Sequence, residues 1–447
     1  MLTLRSENID RLDGDITLPG DKSISHRALI FGALAMGTTK IKGLLEGADV
    51  MSTRSALVQL GTTINASEEH GEKIWIVEGL GLGGFTAPTA PLDLGNSGTG
   101  ARLLMGVIAG SGISAVFTGD ASLSSRPMAR VTDPLSAMGA RVEAREATYL
   151  PLTIAGPDQL LAHRYESPVA SAQIKSAILL AGLTARGETA VIEPEASRDH
   201  TEAMLRHFGV DVISEDFDDG RHCARLTGEV MLTAQDIHVP ADPSSAAFLV
   251  VAALITPNSS LMLRGVGTNP LRFGLIETLK DMGGKIECSN HRVEGGEAVA
   301  DIAVSTSQLT GITVPAERAA SMIDEYPILS IAAAYASGAT HMIGVKELRV
   351  KETDRIQLMA DGLMAAGVEV ETTEDSMVVH GKGGAAIKGD ILVDACHDHR
   401  IAMSFLILGL ITEAPITVSG AETITTSFPN FTELMCMAGA KISQVSS

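Results

Sequence analysis

The chain has 447 residues, of which 45% are apolar and 45 are glycine, which fits a large packed core and, as a prior from length, two or three domains. A formal charge of −20 argues against non-specific binding to nucleic acid or anionic membrane, and 3% aromatic content leaves few surfaces on which bases can stack. An anionic ligand must be drawn locally, by Arg and Lys gathered in a cleft, because scattered surface carboxylates are screened beyond a Debye length of about 8 Å.

Cys223, Cys288, Cys396 and Cys436 lie far apart and form no CxxC pair, so they outline neither a zinc site nor a disulfide framework and fit a reducing compartment. The opening MLTLRSENID has neither a secretory nor a transit pattern. The longest apolar runs, 246–255 and 401–411, fall short of the roughly 20 residues that span a bilayer. A cytoplasmic protein is expected.

Six times, at intervals of about 74 residues, a turn leads into a helix of small apolar residues whose first turn usually carries polar or charged side chains. The turns begin near Leu18, Leu92, Ser167, Val239, Val314 and Val393. Between them recurs a helix end, a glycine and an alternating strand, as in LVQLGTTI, LSAMGARV, LRHFGVDV, LKDMGGKI, LMAAGVEV and LMCMAGAKI. Six copies of one α/β unit are expected. Helices that are apolar on every side are normally buried, so polar residues collected at their starts need a reason, and helix N-termini attract anions. LPGD at 18–21 and VPADP at 239–243 resemble each other and enclose three repeat lengths. That predicts two domains of three units joined by two strands, one of residues 1–19 plus 241–447 and the other of residues 20–240. Segments 79–91 and 290–302 read as surface loops.

In chain order, PGDKSISHR sets Lys22 and Ser23 at a helix start with Arg27 a turn later, a group able to grip one anion without the spacing of a Walker loop. LGNSGTGAR offers Asn96, Gly98, Thr99 and Gly100 at the second helix start, where missing side chains let a ligand approach backbone N–H groups. GDASLSSRPMAR brings Arg126. SAQIKSA presents Ser171 and Gln173, neutral donors suited to phosphate or hydroxyl groups. In EASRDHTEAMLRHFG, Ser197 reads as the N-cap of an amphipathic helix, with Arg198 beside it.

SMIDEYPILS places Asp324 and Glu325 directly before an apolar run, as a cap or a buried general base. ELRVKETDRIQ gathers Lys351, Glu352, Asp354 and Arg355 within five residues, and if this segment is helical Lys351 and Arg355 share a face. HDHRIAMSF brings His397, His399 and Arg400 to the start of the last apolar helix, where no acidic or Cys partner at a recognised spacing supports a metal site. Each motif alone also has a plain reading: a capped helix with a solvated basic end, a tight turn, a cap with a surface arginine, a solvated charge run.

Taken together, PGDKSISHR, LGNSGTG, SRP, SAQIKSA and RVKETDR followed by DHRIAMSF closely resemble, in order and across essentially the whole chain, the family of 5-enolpyruvylshikimate-3-phosphate synthases, the 3-phosphoshikimate 1-carboxyvinyltransferases. The resemblance implies an α/β fold, a two-domain inside-out α/β barrel of six βαβαββ units, three per domain, with the active site in the cleft between domains. It implies that phosphoenolpyruvate and shikimate 3-phosphate condense through a tetrahedral intermediate with release of phosphate, on the route to chorismate and aromatic amino acids, with no metal and no organic cofactor.

By the same resemblance Lys22 touches both substrates, while Ser23, Arg27, Ser171, Ala172, Gln173, Ser197 and Arg198 hold the shikimate phosphate and ring hydroxyls. Asp324 and Lys351 contact ring hydroxyls, and Asn96, Gly98, Arg126, Arg355 and Arg400 surround phosphoenolpyruvate, with Gln173 near both ligands. Guanidinium groups suit carboxylate and phosphate because they donate in pairs. Asp324, Glu352 and Lys22 are the expected catalytic groups: Asp324 accepts the 5-hydroxyl proton, Glu352 delivers and reclaims the methyl proton, and Lys22 assists. The expected partners are these two small molecules, with no nucleic acid and no membrane, acting on a monomer.

The chain departs from the family pattern at Thr426 or Ser427, where many members carry a lysine just before the last Phe-Pro, and at Glu347, where a neutral amide is usual. Gly98 implies room for the inhibitor glyphosate. The sister transferase acting on UDP-N-acetylglucosamine shares the fold but usually has a Cys in the loop where this chain reads GDASLSSRPMAR. An RNA 3′-terminal phosphate cyclase is disfavoured by the charge. A non-catalytic anion-binding scaffold would not need Asp324 and Glu352.

Overall fold

The computed structural model describes residues 2–445, whose strands form six four-stranded sheets. One repeat illustrates all of them. Arg164–Glu166 pairs in parallel with Glu188–Glu193, Tyr165 beside Val191, and the crossover between them is the helix Ala172–Gly182. A parallel pair needs such a crossover, whereas the next two strands are joined by a tight turn. After the helix His200–His207 the chain returns as Val212–Asp216 and His222–Thr227, and the second of these inserts antiparallel between the first and Glu188–Glu193. The same order recurs in every sheet. Six glycines, Gly61, Gly139, Gly209, Gly283, Gly367 and Gly439, stop the second helix of each repeat with φ between 88° and 111°. A side chain is strained in that region, which is why the residue recurs.

The first helices of the repeats are α1 (Lys22–Leu34), α2 (Gly98–Gly110), α3 (Ala172–Gly182), α4 (Pro243–Ile255), α5 (Tyr326–Tyr335) and α6 (His399–Leu408). All six are buried beyond their first turns apart from the half-buried Arg102 and the half-buried last residues Gly110 and Tyr335, as their unbroken apolar character predicts. Small residues let them pack closely. A Cβ at Gly106 of α2 would overlap the carbonyl of Ala177 in α3.

The chain forms two compact units, one comprising the segment up to Pro19, Pro240–Arg292 and the segment from Ala298 onward, the other comprising Gly20–Val239 and Val293–Glu297. Each has its own apolar core, built around α4, α5 and α6 in the first and α1, α2 and α3 in the second. The chain passes between units along two strands. Asp13–Thr17 pairs in parallel with Ser260–Gly267, although the helix after it in sequence is α1. Ile237–His238 pairs in parallel with Met36–Lys42, although α4 follows it. The sixth sheet is completed by Thr3–Glu7, which lies between Ile416–Ser419 and Lys441–Gln444.

Four local expectations are corrected. Residues 290–302 are not a loop: they belong to the strands Lys285–Glu294 and Glu297–Ser305, turned by Gly295 and Gly296, both at positive φ as a two-residue hairpin turn requires. In segment 79–91 the strand Glu72–Leu80 runs on before the irregular stretch begins. Ser197 does not cap the helix after it, whose N-cap position is Asp199. Lys351 and Arg355 do not share a helix, because the 3₁₀ turn Lys346–Val350 ends before Lys351 and a new α-helix starts at Arg355. Among the described residues no helix is long and apolar enough to cross a membrane.

Candidate active site

In the unit containing Gly20–Val239, α1 opens on Lys22 and is capped by Asp21, which accepts the Ile24 N–H at 2.8 Å. A lysine opposes the dipole at this end, and its ammonium is compensated by an ion pair with Asp49. One turn on, Arg27 is 2% exposed and donates to the hydroxyls of Thr201 and Ser176, both at 2.7 Å, and to the Ser23 carbonyl at 3.0 Å. Most of its donors are thus spent inside the protein, which makes it a fixed cation. Burial lowers its pKa to about 10, so it stays charged at neutral pH. His26 is buried beside it with Nδ1 2.8 Å from the Thr53 hydroxyl, and burial, with Lys22 and Arg27 close by, holds it neutral.

At the second helix start Ser97 accepts the Gly100 N–H at 3.1 Å. Arg126 donates to Asn96 Oδ1 at 2.6 Å and to the Ser122 hydroxyl at 3.0 Å. Arg102, one turn into α2, donates to Gln173 Oε1 at 2.7 Å, and Gln173 Nε2 donates to the Thr99 hydroxyl at 2.9 Å. Gly98 lies between the two guanidinium groups: a Cβ there would be 3.0 Å from Arg102 Nη1 and 3.2 Å from Arg126 Nη1. Asn96, Gly98, Arg126 and Gln173 are therefore one cluster. The missing side chain keeps space open in front of two cations.

The third helix start has Ser171 as N-cap and Ala172 as first helical residue. The Ser171 N–H donates to Glu193 Oε1 at 2.6 Å, and the Ser197 hydroxyl lies 2.8 and 2.7 Å from the two oxygens of the same carboxylate. Ser197 is turned toward Glu193 rather than toward the next helix. Arg198 follows it, half-buried.

In the other unit the carboxylates dominate. Asp324 and Glu325 end the 3₁₀ turn Ile323–Glu325 directly before α5. Arg355 is 1% exposed and meets three acids: Asp398 through Nε at 2.7 Å, Glu352 through Nη2 at 2.6 Å and Asp324 through Nη1 at 3.3 Å. Lys351 Nζ is 3.6 Å from both Asp324 and Glu347. Arg400 donates to the Asp324 carbonyl at 2.6 Å and to Glu325 at 3.2 Å. Asp398, fully buried, caps α6 by accepting the Arg400 N–H at 2.9 Å. Asp324, Lys351, Glu352, Arg355 and Arg400 are thus brought together.

Burial alone would raise the Glu352 pKa, but Arg355 and His399 outweigh it and hold the carboxyl well below its ordinary range. The same balance lowers Asp398. Burial works against the charge on Arg355, and Glu352, Asp398 and Asp324 more than restore it. Three carboxylates around one guanidinium, two of them held ionised, are a place where protons can be accepted and passed on, while the Lys and Arg residues of the unit containing Gly20–Val239 can bind anions.

Asp49, Arg102, Glu193 and Asp398 complete these clusters and were not picked out as site residues from the sequence, whereas Glu325 was read there as a cap or general base and pairs with Arg400. Asp398 had a readable signal, an acid immediately before an apolar helix. Arg102 follows Gly98 by one helical turn. Asp49 carries no local signal because its partner Lys22 is distant in sequence, and Glu193 carries none because Ser171 and Lys175 are distant and the spacing to Ser197 is not a recognised motif. Of the two departures from the family pattern, Glu347 forms an ion pair with Lys351, and the Thr426 hydroxyl donates to the Thr423 carbonyl at 2.8 Å.

A family model described as EPSP synthase (3-phosphoshikimate 1-carboxyvinyltransferase) matches residues 6–435. The 3-phosphoshikimate 1-carboxyvinyltransferase of Parvibaculum lavamentivorans is 56% identical over 439 residues, which cover 98% of this chain and 96% of the relative. That of Roseobacter denitrificans is 55% identical, with 96% and 95% covered. The solved structure of EPSP synthase from Acinetobacter baumannii superposes with a TM-score of 0.90 at 45% identity, each chain covered completely. With the repeats, the clusters and these likenesses in agreement, the chain belongs to the EPSP synthase family of 3-phosphoshikimate 1-carboxyvinyltransferases.

Proposed function

We propose that the protein transfers the 1-carboxyvinyl group of phosphoenolpyruvate to the 5-hydroxyl of shikimate 3-phosphate and releases inorganic phosphate, on the route to chorismate and aromatic amino acids. The observation that carries this reading, beyond family membership, is the buried Arg355 shared by Asp324 and Glu352, which sets two carboxylates beside a cation suited to an acidic substrate. Lys22, Ser23, Arg27, Ser171, Ala172, Gln173, Ser197 and Arg198 hold shikimate 3-phosphate, with Asp324 and Lys351 on its ring hydroxyls. Lys22, Asn96, Gly98, Arg126, Gln173, Arg355 and Arg400 hold phosphoenolpyruvate.

The chemistry needs two proton transfers. The 5-hydroxyl loses its proton to Asp324 as its oxygen bonds to C2 of phosphoenolpyruvate, and C3 gains a proton, giving a tetrahedral ketal phosphate. The bond from C2 to the phosphate oxygen then breaks while C3 returns a proton to Glu352, the departing phosphate takes the proton held by Asp324, and the enol ether product remains. Glu352 serves C3 and Lys22 assists. Arg355 keeps Glu352 ionised, so a substrate carboxylate that draws the guanidinium toward itself raises the Glu352 pKa, and Glu352 takes up a proton from solvent before delivering it to C3. The basic groups stabilise the departing phosphate.

The reading extends to a cytoplasmic monomer whose two units act as domains of three repeats and which binds neither nucleic acid nor membrane, supported by the charge of −20 and four free cysteines among the described residues. The test is phosphate release from phosphoenolpyruvate with and without shikimate 3-phosphate, in EDTA. Release that requires both substrates and survives chelation supports the reading. Release with UDP-N-acetylglucosamine instead overturns the substrate, and silence with both leaves an anion-binding scaffold.

A further inference from the structure

Glu193 is the last residue of the strand Glu188–Glu193 and is 1% exposed. Its carboxylate does three things at once: it accepts the Ser171 N–H at 2.6 Å, it accepts the Ser197 hydroxyl, and it pairs with Lys175 Nζ at 3.0 Å. Lys175 lies on α3, fully buried, and also reaches the Ser197 carbonyl at 3.1 Å and Glu202 at 2.8 Å. A buried carboxylate is costly unless paired and fully hydrogen-bonded, and Lys175 supplies the charge that makes this one tolerable. Burial opposes the charge on Lys175, and Glu202 and Glu193 outweigh it, so the lysine remains an ammonium.

The turn holding Ser171 opens α3, and the turn holding Ser197 lies beyond the strand Glu188–Glu193. Glu193 bonds to both serines, and Lys175 on α3 adds a second tie through the Ser197 carbonyl. We infer that Glu193 is a positioning residue for the shikimate 3-phosphate site, fixing the Ser171 and Ser197 turns relative to each other so that both meet the substrate in one geometry. The inference rests on the substrate reading above. It gives the buried Lys175 a task as well, since it stabilises Glu193 without touching substrate.

Glu202 provides the control, because it belongs to the same buried charge cluster yet touches neither serine turn. Glu193→Gln keeps the side-chain shape but replaces an acceptor-only group with one that cannot accept from both serines and Lys175 together. Weakening hydrogen bonds to a charged group predicts a rise of about 10- to 100-fold in KM for shikimate 3-phosphate, with KM for phosphoenolpyruvate nearly unchanged. Glu202→Gln lowers the melting temperature similarly but leaves the KM for shikimate 3-phosphate within about threefold of the parent. Glu193→Asp, which keeps the charge, recovers part of the loss. If parent enzyme turns over and Glu193→Gln leaves KM unchanged, or if both Gln variants raise it equally, the positioning role is overturned alone. If the parent shows no turnover with shikimate 3-phosphate, the substrate reading falls and this inference with it.

Discussion

The Arg355 guanidinium donates through Nε to Asp398 at 2.7 Å while Asp398 also accepts the Arg400 N–H at 2.9 Å, so one buried carboxylate fixes both arginines of this cluster. Removing the guanidinium leaves Asp398 and Glu352 without their main counter-charge. Breaking a buried pair by deleting one partner costs about 3–5 kcal/mol. Arg355→Lys, whose single ammonium cannot meet three acids, is expected to lower the melting temperature markedly and to cut kcat/KM for phosphoenolpyruvate at least about 100-fold. Retained stability with normal kinetics would remove Arg355 from the centre of the site.

Glu352→Gln keeps the volume and a hydrogen bond to Arg355 but cannot carry a proton. The expected loss in kcat is about 100- to 10,000-fold, with KM for phosphoenolpyruvate changed little. Exchange of the C3 hydrogens with deuterated solvent reads the step directly. It is expected to vanish in Glu352→Gln, and continued exchange at the parent rate would assign the proton to another group.

The pH dependence of stability has a worked sign. His26, Glu352 and Asp398 all have folded pKa values below their ordinary ones of 6.5, 4.5 and 3.8. For such groups the unfolded chain takes up protons first as pH falls, so their stabilisation is complete above the ordinary value and is lost on acidification. Urea melts are expected to weaken first below pH 6.5, from His26, and again below pH 4.5, from the two carboxylates. His26→Gln should remove the first stage and leave the second. A flat profile from neutral pH down to pH 4.5 would contradict the buried neutral His26.

At Gly98 a methyl would sit 3.0 Å from Arg102 and 3.2 Å from Arg126, forcing both guanidinium groups to move by a few tenths of an ångström. Overpacking of this kind costs about 1–3 kcal/mol, or about 5- to 150-fold in affinity if it falls on the ligand. Glyphosate is expected to compete with phosphoenolpyruvate in the parent, and Gly98→Ala to weaken the inhibitor more than the substrate. Uninhibited turnover of the parent in large excess of glyphosate would refute this.

Gly106→Ala tests the packing that supports the second and third helix starts. The added carbon overlaps the Ala177 carbonyl, so α2 and α3 must part. A cost of about 1–3 kcal/mol is expected in thermal unfolding. KM values for both substrates should rise, since Gly98 and Gln173 stand on these two helices.

The repeats, the six buried helices and the polar residues at their starts were legible because each signal is local: an apolar run, a glycine that must reach positive φ, a cap. The expected substrate contacts rest on motif resemblance. What stayed hidden was pairing. Ser197 looked like a cap because it stands just ahead of a helix, and nothing nearby in sequence announced that Glu193 takes its hydroxyl. Lys351 and Arg355 meet at Asp324 by way of a 3₁₀ turn and a new helix start, not through the shared helical face that their spacing offered.

By itself the sequence determined six α/β repeats and the family to which its motifs point, with βαβαββ units and two domains implied by that resemblance. Only the tertiary structure decided which acid holds which base: Asp49 for Lys22, Glu193 for Lys175 and the two serine turns, Asp398 and Glu352 for Arg355. Local propensity is written in neighbouring residues, whereas a buried charge is tolerable only beside whatever opposite charge packing brings within about 3 Å, and that depends on the whole fold.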